Sequence, residues 1–137
     1  MTTPNLVGAF YERTWNAGEL GAASELLTAD FSFRGSLGDE LRGREAFLDD
    51  VRVVRATLAD DRCEILDRVA EGDRAFARMR FSGRHVGVFR GSAPTGREAR
   101  WLGAALFRFR DESIAELRVL GDLAGLDARL RSDADAG

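Results

Sequence analysis

The chain has 137 residues, 45% of them hydrophobic and 31% charged, which suits one ordinary folded domain and excludes wholesale disorder. Its net charge of −3 has the wrong sign for a nucleic-acid binder. A single cysteine, Cys63, and a single histidine, His85, exclude an intramolecular disulfide and any clustered His/Cys metal site.

All 20 basic residues are arginine. Without lysine there is no Schiff-base catalysis and no P-loop. Met1–Phe10 lacks the basic region and long apolar run of a signal peptide, and no apolar stretch nears the roughly 20 residues of a membrane span. The reading is of a cytoplasmic protein with no metal, no cofactor, and neither a membrane nor a nucleic-acid partner.

In chain order, Pro4–Ala17 is a helix with Leu6, Val7, Phe10, Tyr11 and Thr14 on one stripe. Gly18 suits its left-handed cap. A short helix over Glu19–Leu27 leads to a strand at Asp30–Arg34, then a polar loop over Gly35–Gly43. Arg44–Leu58 is a longer helix, with Phe47, Leu48, Val51 and Val54/Arg55 recurring at helical spacing. Beyond Arg62 the period changes to two. Strands at Arg62–Ala70 and Arg74–Arg84 flank the hairpin signal Glu71-Gly72-Asp73. In the second, Ala75, Ala77, Met79 and Phe81 share one face, and Arg78 and Arg80 the other. Pro94-Thr95-Gly96 marks a turn. Arg97–Arg110 is a long strand with Trp101, Gly103, Ala105, Phe107 and Phe109 on one side. Ile114–Gly121 is the last strand and Leu123–Leu130 a terminal helix. Residues 1–131 form one domain, and 132–137 a disordered tail.

Helices first and a meander afterwards give an α+β fold rather than alternating βαβ units. A curved antiparallel sheet with helices across its concave face makes a cone, and an incompletely filled cone contains a pocket. Gly83, Gly103, Ala104 and Ala105 are candidate small wall residues. Such residues also serve simply to let a helix pack closely.

Several stretches occur in a telling order: Phe10-Tyr-Glu-Arg-Thr-Trp-Asn-Ala-Gly18 with Leu26-Leu-Thr-Ala-Asp-Phe31; Leu41-Arg-Gly-Arg-Glu-Ala-Phe47; Gly83-Arg-His-Val-Gly-Val-Phe-Arg-Gly91; Leu106-Phe-Arg-Phe; and Asp122-Leu-Ala-Gly-Leu126. Together they resemble the SnoaL-like polyketide (ester) cyclases of the NTF2-like superfamily. The resemblance implies a cone-shaped α+β barrel with an apolar pocket. It also implies intramolecular aldol closure or isomerisation of an apolar carbonyl compound without a cofactor, and a homodimer formed through the sheet's outer face.

It further implies an acid/base aspartate where the last strand meets the terminal helix, the position of Asp122. Proton abstraction beside a carbonyl needs a carboxylate held in a dry pocket. Asp122 also directly precedes a helix, where an aspartate caps backbone N–H groups. His85 is the only imidazole available for proton transfer, or else a buried structural histidine. Tyr11, Trp15, Met79, Trp101, Gly103, Ala105 and Arg118 are expected to line the pocket. Tyr11, His85 or Arg118 would then steady an enolate. Two departures stand out: relatives carry a polar residue where this chain has Gly103-Ala-Ala-Leu106, and His-Trp where it has Leu117-Arg118. The alternatives are a non-catalytic module binding a small molecule in the same pocket, or a domain used mainly for dimerisation.

Overall fold

The computed structural model describes residues 3–36 and 40–136. It is an α+β structure built on one curved, unclosed, six-stranded sheet. The elements are α1 (Thr3–Tyr11), a π-helical turn (Glu12–Asn16), α2 (Leu20–Ser24), β1 (Leu27–Arg34), β2 (Glu40–Arg42) and α3 (Arg44–Thr57). Four strands and a helix follow: β3 (Leu58–Glu71), β4 (Arg74–His85), β5 (Glu98–Arg110), β6 (Ser113–Gly121) and α4 (Leu123–Ala136).

The strand order is β2-β1-β6-β5-β4-β3. The expected antiparallel sheet is in fact mixed, because β1 runs parallel to β6 while every other pair is antiparallel. The intervening helix and strands give the chain the length that a parallel return requires. β1 begins at Leu27 rather than Asp30, since Leu27 already pairs with Ile114. The loop expected over Gly35–Gly43 contains β2, and its residues 37–39 lie outside the described residues. The last helix runs past the expected Leu130 to Ala136.

The hairpin strands follow their period of two. On β4, Ala75, Ala77 and Met79 are buried while Arg74, Phe76 and Arg78 are exposed. Their outward arginines are paired within the chain, Arg78 with Asp67 at 2.7 Å and Arg80 with Glu64 at 3.5 Å. Such exposed pairs contribute little to stability, about 0–1 kcal/mol each.

Two hydrophobic clusters result. The larger joins α1, α3 and the sheet around Phe10, Tyr11, Phe31, Phe47 and Phe107. Edge-to-face pairs of Phe10 and Tyr11 with Phe107, at 5.8 and 5.9 Å, fix α1 on β5. The smaller holds α4 through Leu126 and Leu130 against Leu58 and Ala99.

The π-helical turn does a job that the sequence pattern did not reveal. It delivers Asn16 to the edge strand β3, where the side-chain amide grips the backbone of Cys63. Asn16 Oδ1 accepts from the Cys63 N–H at 2.6 Å and Nδ2 donates to the Cys63 carbonyl at 3.1 Å. An asparagine thus pairs part of an edge that would otherwise be open. Asn16→Ala should lower stability by about 1–3 kcal/mol, because it strands two partly buried backbone groups. Urea denaturation and amide exchange at Cys63 would report it; unchanged exchange at Cys63 would show that the clamp carries nothing.

Candidate active site

Between the two clusters the concave side of the sheet is left hollow. A cavity of about 270 Å³ remains there, at the small end of ligand pockets. Its walls come from both clusters: Tyr11, Trp15, Phe33, Phe81, Leu117 and Val119 from one, and Val54, Leu58, Phe89, Trp101 and Leu123 from the other. Phe81 and Trp101 stack at 5.3 Å with their planes 20° apart, and Phe89 leans on Trp101 at 6.0 Å. The result is a flat aromatic wall.

Small residues make this wall possible, though not by forming it. A Cβ on Gly103 would lie 2.9 Å from the Phe81 ring, and one on Gly83 would lie 2.8 Å from the Leu58 Cβ. Larger neighbours lie against both glycines instead of leaving them open to the hollow. Gly103 and Ala105 are buried and do not line the cavity. Met79 is also wholly buried in the larger cluster and does not reach it. Arg118 is exposed, cross-strand from Leu106 on the outer face, and does not line it either. Of the expected lining residues, Tyr11, Trp15 and Trp101 are present.

The two expected proton-transfer residues lie elsewhere. Asp122 is exposed, and its Oδ1 accepts the Gly125 N–H at 2.9 Å in an N-cap of α4. The carboxylate lies close over Gly125, where it fills the space beside the Cα. His85 is fully buried, outside the cavity lining. Its Nδ1 accepts the Thr95 N–H at 3.3 Å and lies 3.2 Å from the Thr95 hydroxyl, which ties down the segment leading into β5. Its Nε2 has no partner among the described residues.

Polar residues in the lining are few. Tyr11 is one, though its hydroxyl is itself buried, without a hydrogen-bond partner among the described residues. Burial, with a smaller contribution from Cys63, holds its pKa well above the usual phenol value, so it stays a proton donor. Cys63 itself is no nucleophile, since burial pushes its thiol up.

Two carboxylates lie in the same wall, Asp50 on α3 and Asp61 on β3. Burial raises the pKa of Asp50, and no partner among the described residues offsets it. Burial also raises Asp61, with the Arg55 guanidinium 2.9 Å away pulling the other way. Sequence reasoning missed both. Asp50 did leave a trace: it lies three residues after Phe47 and four before Val54, on the margin of the apolar arc of α3. Asp61 sits at an irregularity of β3, beside Asp60 with its φ of 54°, and no local pattern announces that.

Among the described residues no group of three His, Cys, Asp or Glu side chains gathers as a metal would require. No described helix is long and apolar enough to cross a membrane.

Residues 5–130 match the family described as SnoaL-like polyketide cyclase. No curated protein matches the sequence. Among solved structures, IdmH from Streptomyces antibioticus, a candidate polyketide cyclase, superposes with a TM-score of 0.85 at 26% identity, covering 95% of this chain and 99% of that one. TsrD from Streptomyces laurentii gives 0.82 at 30% identity, covering 93% and 92%. A protein of ketosteroid isomerase-like fold from Catenulispora acidiphila, in complex with trimethylamine, gives 0.79 at 22% identity over 93% and 92%.

If Asp122 is a cap and no more, Asp122→Ala should cost about 1 kcal/mol of stability and leave affinity for an apolar cavity probe unchanged. Calorimetry with a planar aromatic probe would read both. Lost affinity at preserved stability would return Asp122 to the site.

Proposed function

The chain belongs to the SnoaL-like polyketide cyclase family, and from that premise we propose that its cavity abstracts a proton beside a carbonyl and guides aldol closure or isomerisation of an apolar compound. The observation that carries this reading is a carboxylate, Asp50, unpartnered among the described residues in the wall of an aromatic-lined cavity that also includes Tyr11, whose buried hydroxyl has no partner among them either. A carboxylate raised by burial is a stronger base than one in water. A neutral buried hydroxyl is suited to an enolate oxygen, giving it a hydrogen bond in a site with little water to compete. Ketosteroid isomerase works on the same chemical logic, with an aspartate base beside a tyrosine donor.

In this reading Asp50 takes the proton from the activated carbon, and Tyr11 donates to the oxygen that becomes the enolate. The electron pair left on carbon attacks a second carbonyl of the same molecule, and Asp50 returns its proton to the new alkoxide. Stacked Phe81 and Trp101 give a planar substrate a surface to lie on. Bringing both carbonyls of one molecule together supplies much of the acceleration. No cofactor enters.

A non-catalytic binding module is the second reading. Ala105 and Leu117 favour it, since they stand where relatives place polar groups. It predicts tight probe binding with no proton exchange.

The exchange test separates the two. The protein would be incubated with 1,3-dicarbonyl or anthraquinone-ester compounds, following proton exchange at the activated carbon by NMR. Asp50→Asn should slow exchange about 100-fold or more, and Tyr11→Phe about 100-fold. Asp122→Asn should match the parent. Because the base must be ionised, the rate should climb with pH through a carboxyl value above the ordinary range and then level off. Parent-like exchange in Asp50→Asn, or its loss in Asp122→Asn, would refute the assignment.

A homodimer, in the same reading, forms through the outer face of the sheet. There Val69, Phe76 and Leu106 form one exposed apolar row across β3, β4 and β5, with Leu102 and Leu120 beside it. Exposed apolar groups gathered among paired arginines suit a contact between copies. Phe76→Glu with Leu106→Arg should turn a dimer into a monomer in sedimentation velocity; a parent that sediments as a monomer would remove the proposal.

A further inference from the structure

We propose that Arg55 is the positioning residue of this cavity: its guanidinium fixes the Asp61 carboxylate and the π-helical turn against α3, and so sets the place of Asp61 and Trp15 in the wall. Its catalytic consequence rests on the proposed function, whereas its geometry does not.

Arg55 lies in the last turn of α3, at the margin of the apolar arc opposite Asp50. Its Nη1 lies 2.9 Å from Asp61 Oδ1 at the start of β3. The same nitrogen donates to the Trp15 carbonyl in the π-helical turn. Three elements are thereby joined through one side chain, and two of the residues it holds line the cavity. The site is well enclosed, with side-chain exposures of 29% for Arg55 and 9% for Asp61. π-helical turns recur at functional sites because they displace side chains from the regular helical stripe.

Gly18 completes the seat. A Cβ there would fall 2.6 Å from Arg55 Nη2 and 2.8 Å from Cζ, so the guanidinium occupies the space any other residue would need. Gly18 also has a φ of +68°, which other residues adopt only at a cost. In the sequence this glycine reads as a helix stop. It has a second task.

The pairing decides what Asp61 can do. A buried carboxylate with its cation removed loses the main interaction that opposes desolvation, so its pKa climbs further. The other charged and titratable groups around it are Asp60 and Arg62 on β3, Asp50 on α3, Arg84 of β4 beside Asp60, Arg90 on the cavity wall, and Tyr11 with Cys63. Among the described residues only Arg55 forms an ion pair with Asp61. A lysine keeps the charge on a side chain one bond shorter, so it reaches the carboxylate and the carbonyl less well together.

The test is a ¹³C NMR titration of the Asp61 carboxyl in the parent, Arg55→Gln and Arg55→Lys, with circular dichroism to verify folding. Arg55→Gln should raise the Asp61 titration by about one pH unit or more, and Arg55→Lys should return it close to the parent. In the exchange assay both variants should lose about tenfold or more in kcat with KM within about twofold, because a displaced wall misorients a bound substrate. An Asp61 titration identical in all three proteins overturns the proposal. Should Arg55→Gln fail to fold, the lysine variant decides: a parent-like titration with lowered kcat supports it, and parent-like values of both overturn it. If the parent shows no turnover, the proposed function fails, while the titration still decides the role of Arg55.

Discussion

One curved sheet here has to support two separate hydrophobic clusters, and nearly everything of interest follows from their failure to merge. The helices α1 and α3 pack over one part of the concave face, and α4 packs over another. Between them the side chains run out before the space does. Protein interiors are normally packed close to the density of organic crystals. A hollow of about 270 Å³ is therefore a cost that the surrounding core has to offset.

Polar groups buried in and behind the hollow's wall add to the cost. Tyr11 buries a hydroxyl with no partner among the described residues, which sacrifices roughly 1–3 kcal/mol, and Asp50 is held where its charged form is disfavoured. A core evolved for stability alone would have phenylalanine at one position and an apolar residue at the other. Local conflicts of this kind concentrate where a protein does its work. By contrast, the aspartate expected from family resemblance is at rest, with Asp122 satisfied by Gly125, while His85 has Nδ1 held by Thr95 away from the cavity.

Much of the fold is legible in the sequence because it rests on periodicity. The arcs Leu6–Val7–Phe10–Tyr11 and Phe47–Leu48–Val51 mark α1 and α3, and alternation marks the long strands. What escapes is whatever depends on distant partners. Leu27–Ala29 is strand because β6 lies beside it, and β2 is strand because β1 does. The parallel pairing of β1 and β6, like the π-helical turn, leaves no mark in a two- or four-residue pattern. The site shows the same division. Tyr11, Trp15 and Trp101 can be found from their helix or strand face. Asp122 is singled out by its place in the chain, which fixes a helix start but not the direction of a side chain. Gly103 and Ala105 read as gaps in the wall, yet larger neighbours pack around them. Asp61 and Arg55 come together only through the tertiary fold.

Most direct would be a crystal structure with a planar enol or phenol bound, chosen to imitate an enolate. Its ring should lie along Phe81 and Trp101, with its oxygen within hydrogen-bonding distance of the Tyr11 hydroxyl and Asp50 facing the reactive carbon. Ligand density seated at Asp122 on the outside, or a cavity that stays closed to every such compound, would contradict that arrangement.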